Sequence, residues 1–100
     1  INFAVATATW KANLLNILNT LVANGITPIL LYATPRSNGT GIYDITPVNT
    51  EYATYSYKKI DTYTPLATGI TANPAYYAAD LIHPSTAGHL LIEQTIISNL

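Results

Sequence analysis

The chain has 100 residues, 49% of them apolar and only 9% charged, with a net charge of −1. That length holds a single domain, and that composition permits a core and excludes a disordered polar chain. Four basic residues in total exclude a nucleic-acid or anionic-lipid footprint, and the absence of cysteine excludes disulfides, thiol catalysis and thiolate-bound metal.

No apolar run approaches a membrane span, so neither nucleic acid nor membrane is expected as a partner. The opening "INFAVATATWKANLL" lacks the charged start and apolar middle of a signal peptide, and it does not begin with methionine. Some upstream sequence is therefore expected. Asn, Thr, Ser and Tyr replace the usual charged surface residues, which points to an extracellular or particle-associated setting.

The first expected element is a helix from Thr9 to Asn24. Trp10, Leu14, Leu15, Ile17, Leu18, Leu21 and Val22 form one apolar arc at about 100° per residue. Gly25 follows as a natural stop in the left-handed region. Next, "ITPILLYAT" (Ile26 to Thr34) carries an unbroken apolar run, Ile29 to Tyr32. Such a run reads as a strand covered on both faces, the mark of a parallel sheet. Pro35 ends it, and "PRSNGTG" is a loop by composition.

From Pro47 to Thr64 the spacing of Val48, Tyr52, Tyr55 and Lys59 predicts a helix, with Thr46 as its N-cap. A short strand is expected around Ala67 to Thr71. The last helix is expected from Thr86 to Asn99, with Ser85 as N-cap. Helix, strand, helix, strand, helix is an α/β order with too few strands. "PLATGI" (Pro65 to Ile70) and "INFAVA" (Ile1 to Ala6) are the available neighbours for the Ile29 strand, so the sheet reads as incomplete.

The chemistry concentrates in "DLIHPSTAGHLLIEQTI", which begins at Asp80. A histidine that serves as general base must be held in one tautomer and one orientation, and a carboxylate on Nδ1 does both. Asp80 and His83 are spaced to make that bond across one turn of loop. Pro84 biases His83 toward extended backbone, and the helix that follows anchors the loop. The plain alternative is a turn contact, with Asp80 capping an amide and His83 packed beside the helix. A metal site of Asp80, His83 and His89 lacks compact spacing and a fourth donor, so no metal is assigned.

The block Asp80, His83, Pro84 and Gly88, followed by an apolar helix, resembles the C-terminal block of the SGNH, or GDSL, family of serine hydrolases. The helix–strand pair "WKANLLNILNTLVANG" and "TPILLYATP" is similar to the family's upstream pattern, so the resemblance covers nearly the whole chain. It implies a flavodoxin-like α/β/α three-layer fold with a parallel sheet. Residues 1–100 would be the C-terminal part of one such domain, with Asp80 and His83 as two members of a Ser-His-Asp triad.

The family's nucleophile lies in a Gly-Asp-Ser motif, and a glycine and an asparagine of later blocks help build its oxyanion hole. None of these blocks is present. Ser37, Ser56, Ser85 and Ser98 lack that setting, and Ser85 is better used as a helix cap. The resemblance therefore implies a serine carried by an N-terminal part, as a removed segment or a separate chain. The implied activity is ester hydrolysis, with an acetylated carbohydrate as one substrate class and no cofactor.

Arg36 follows the carboxyl end of a parallel strand, where open α/β sheets place ligands. There it can meet a substrate oxygen or anion, though a solvated surface arginine is the plainer reading. The tyrosines from Tyr52 to Tyr63, with Tyr76 and Tyr77, suit either sugar stacking or packing. The rival function is a binding or structural module of a surface or viral tail protein that keeps the fold without turnover. An unrelated flavodoxin-like fragment would make the Asp80–His83 match coincidental.

Overall fold

The computed structural model describes residues 7–37 and 44–100. The expected strand at Ile1 to Ala6 lies outside the described residues, as does the loop from residue 38 to 41.

Helix α1 runs Thr7–Ala23, close to its expected bounds. Gly25 takes φ +75° and its N–H donates to Val22 O at 3.0 Å, while Ile26 N–H donates to Leu21 O at 2.9 Å. This paired closure satisfies the last carbonyls, and glycine adopts the required left-handed conformation without a Cβ clash. The apolar arc is only partly covered. Leu18 is buried, whereas Leu15, Ile17 and Val22 are exposed.

Strand β1 (Ile29–Leu31), helix α2 (Thr46–Ala53) and strand β2 (Lys58–Ile60) follow in order. β1 and β2 pair in parallel, with Ile29 opposite Lys58 and Leu31 opposite Ile60. This is a βαβ unit, in which a helical crossover lets two strands run the same way. The chain is thus α/β with a parallel strand pair.

The helix expected to reach Thr64 ends at Ala53, and its N-cap is Ile45 rather than Thr46. The strand that pairs with β1 is Lys58–Ile60, not "PLATGI". The β-branched and aromatic side chains after Ala53 favour extended backbone, and pairing with β1 decides the outcome. Lys59 turns its amine back onto Tyr57 O at 2.9 Å and onto Tyr55 O, while Ile60 is buried.

Side chains extend the ladder where the strands stop. Asn49 accepts from Ala33 N–H at 2.8 Å and donates to Ala33 O at 3.1 Å. Thr62, also buried, donates its hydroxyl to Tyr32 O. Both carbonyls at the carboxyl end of β1 are thereby satisfied. Contrary to the expected cover on both faces, Ile29 and Leu31 remain 45% and 43% exposed, with only Leu30 buried.

After β2 the chain makes a single 3-10 turn, Thr64–Leu66. A minimal antiparallel hairpin follows, β3 (Ala67–Thr68) and β4 (Thr71–Ala72), turning at Gly69 with φ +62°. A second 3-10 turn, Pro74–Tyr76, leads on to α3 (Thr86–Ser98). Leu66, Ala72 and Tyr77 form a buried cluster, with Tyr76, Leu81, Leu91 and Ile92 packed against it. That cluster is the floor beneath the loop that carries Asp80 and His83. Among the described residues, no helix is long and apolar enough to cross a membrane.

Candidate active site

The loop from Ala78 to His83 is closed on itself. Tyr77 and Pro84 form an antiparallel bridge, and Ala78 N–H donates to His83 O at 2.8 Å. Just outside the bridge, Ser85 N–H donates to Tyr76 O at 2.9 Å. Ser85 caps α3, its Oγ accepting from Gly88 N–H at 3.3 Å. Gly88 lies so close to the preceding turn that a Cβ there would stand 2.1 Å from Tyr76 O. The loop thus leaves the Tyr76–Tyr77 segment, turns at its tip, and returns into the first turn of α3.

Asp80 is the hub of the tip. Its Oδ1 accepts from Ile82 N–H at 2.9 Å and from His83 N–H at 3.0 Å. Its Oδ2 lies 2.5 Å from His83 Nδ1. The Nδ1 hydrogen bond is the chief cause holding the Asp80 carboxyl down at about 2, and the two backbone N–H groups add to it. The carboxylate is therefore ionised across the neutral range, and a neutral His83 ring donates its Nδ1 proton to it. That fixes the tautomer and leaves Nε2 as the acceptor. The His83 side chain is 77% exposed, so its ring is open to whatever packs on this face.

A second segment supports the loop from below. Ser37 is buried, with its N–H donating to Leu81 O at 2.8 Å and its Oγ accepting from Ala72 N–H at 3.0 Å. Tyr77, also buried, donates its hydroxyl to Pro35 O. These ties fasten the residues after β1 to β4 and to the acid–histidine loop. Sequence spacing could not reveal them, because the partners lie 35 and 42 residues apart. Ser37 serves as a buried strut and Ser85 as a helix cap.

Arg36, between two pinned neighbours, is half-buried and lines an open cleft of about 310 Å³ with Ala33, Thr34, Ile45 and Tyr52. Asp80 and His83 do not line that cleft. Asp80 and His83 are thus brought together, while Arg36 occupies a separate depression at the carboxyl end of β1. His89 is exposed on α3. Among the described residues no group of three His, Cys, Asp or Glu side chains is placed to hold a metal ion.

No family model matches the chain, and no curated protein matches it. Among solved structures, a putative acylhydrolase from Bacteroides fragilis is similar to it, with a TM-score of 0.72 and 23% identity. The similarity covers 88% of this chain and 48% of that one, so the chain spans about half the length of its structural neighbour. At this level of identity the likeness establishes the architecture alone: the chain has part of the α/β fold of that protein.

Proposed function

We propose that this chain supplies the acid and the base of a serine ester hydrolase of the SGNH type. The observation that carries the reading is the 2.5 Å contact between Asp80 Oδ2 and His83 Nδ1, on a self-closed loop with the imidazole facing outward. Asp80 orients the ring and stabilises the imidazolium. His83 Nε2 removes the proton from an attacking serine hydroxyl and later returns it to the leaving alcohol. Similarity to a protein described as an acylhydrolase supports this choice of chemistry.

The serine comes from the other half of the domain, residues 1–100 being the C-terminal part. Two features support that partner. β1 pairs only with β2 among the described residues. Ile29 and Leu31, on one face of β1, are both exposed, as is Ile17 of α1, and an open apolar strand edge calls for a covering partner. The substrate class is an ester, with acetylated carbohydrate as the first to assay, and Arg36, in its own cleft at the carboxyl end of β1, is the candidate substrate contact. An extracellular or particle-associated site of action goes with this reading.

Fluorophosphonate labelling of the protein together with its serine-bearing part tests the proposal. Covalent modification of a serine that is lost in His83→Ala is expected, because only a hydroxyl with a base beside it reacts readily. Absence of labelling in the wild type would leave a binding module in place of an enzyme.

A further inference from the structure

The cleft at the carboxyl end of β1 has a one-sided chemistry. It is lined by Ala33, Thr34, Arg36, Ile45 and Tyr52. One of these residues carries a positive charge and none carries a negative one. Burial pushes the Tyr52 hydroxyl above its ordinary pKa, so it stays protonated and can donate. Arg36 is half-buried, so its charge acts through less water than that of a fully solvated side chain.

The acids nearest to the cleft along the chain are engaged elsewhere. Glu51 pairs with Lys11 at 3.2 Å. Asp44 Oδ1 accepts from the Thr46 N–H at 2.9 Å and from the Thr46 hydroxyl at 2.7 Å. That places Asp44 at the first turn of α2, whose positive end offsets its charge. The cleft's volume of about 310 Å³ is at the lower end of the range for small-molecule sites.

The cleft and the acid–histidine loop are tied together. Pro35 O accepts from the Tyr77 hydroxyl, and Ser37 N–H donates to Leu81 O at 2.8 Å. Arg36 is therefore pinned on both sides to the segment that carries Asp80 and His83. Backbone geometry puts its Cα within about 5 Å of Leu81 O.

We propose that this cleft binds a carboxylate carried by the substrate, so that the ester hydrolysed at His83 is an anionic one. A guanidinium presents two parallel N–H groups in the plane that a carboxylate matches. A single cation suits a monoanion, whereas a phosphate dianion calls for more positive charge than this lining holds. The proposal rests on the esterase reading for its effect on turnover, but not for its effect on binding.

The test compares acetylated methyl glucuronide with its carboxamide, acetylated at the same position, in the protein with its serine-bearing part. The two esters differ in charge and hardly in shape. kcat/KM should favour the carboxylate by about 10-fold or more, through KM, as one charge-assisted contact provides. Arg36→Gln should bring that ratio close to one. Arg36→Lys keeps the charge but loses the fork, and should reduce the ratio too; should the glutamine variant fail to fold, that reduction decides. In parallel, the Arg36 Nε–H resonance is followed by ¹⁵N NMR as unacetylated methyl glucuronide, its carboxamide or inorganic sulfate is added. Methyl glucuronide should shift it most.

A wild-type ratio near one, a ratio that survives either substitution, or a stronger response to sulfate than to the carboxylate would overturn the proposal. Failure of the catalytic reading gives a different pattern. His83→Ala would then hydrolyse both esters as the wild type does, while the carboxylate would still shift the Arg36 resonance.

Discussion

Gly88 offers the sharpest stability test, because its surroundings are measurable to an ångström. A Cβ at this position would lie 2.1 Å from Tyr76 O and 3.0 Å from Pro84 Cβ. Ordinary carbon–oxygen contact begins near ~3.3 Å, so the first turn of α3 and the Tyr76 carbonyl must part by about 1 Å. That separation breaks the bond from Ser85 N–H to Tyr76 O, now 2.9 Å long. A lost hydrogen bond costs about 1 kcal/mol, and overpacking adds about 1–3 kcal/mol. Alanine returns about 1 kcal/mol through helix propensity. The net is a loss of about 2 kcal/mol, or roughly 10 °C in Tm for a domain of this size. Thermal unfolding followed by far-UV circular dichroism reads the shift, and amide exchange at Ser85 should lose its protection. A Tm that stays level or rises, with Ser85 still protected, would refute the close approach.

Three further outcomes are expected. Folding lowers the Asp80 carboxyl to about 2, so its contribution to stability is complete above the unfolded value of about 3.9. That contribution disappears as pH falls through the folded value. ¹³C NMR titration should find the Asp80 midpoint near this low value, and His83→Ala should raise it only part of the way, because the backbone N–H groups of residues 82 and 83 still donate. A midpoint unmoved by His83→Ala would contradict the side-chain bond as chief cause. Asn49→Ala should lower stability by about 1–3 kcal/mol in denaturant unfolding, since the half-buried backbone just past β1 loses two hydrogen bonds; an unchanged midpoint would show that water replaces them. Arg36→Ala should raise KM by about 10-fold or more with kcat unchanged, the signature of lost uniform binding; unchanged KM would remove Arg36 from the substrate site.

The parts legible in the sequence were those with local causes. Gly25 closes α1 by its own conformational freedom, and Ser85 caps α3 by its own hydroxyl. The Asp80–His83 pair was legible because both partners lie within one turn of chain. The parts that were not legible depend on distant partners. Lys58 and Lys59 disguise β2, since only the pairing with β1 makes "KKI" a strand. The run Ile29 to Tyr32 reads as covered on both faces, yet its Ile29 and Leu31 face is open among the described residues. This fits a chain that spans about half of its structural neighbour. Leucine gives no local signal for a left-handed turn, so the φ of +56° at Leu81, whose carbonyl accepts from Ser37 N–H, was not legible either.

In the proposed ester hydrolysis His83, steadied by Asp80, moves the proton. Steady-state hydrolysis of an acetyl ester by His83→Ala, in the presence of the serine-bearing part, tests it most directly. A fall in kcat of at least ~100-fold is expected, with thermal stability close to wild type because the ring is largely exposed. Turnover within a factor of a few of wild type would contradict it.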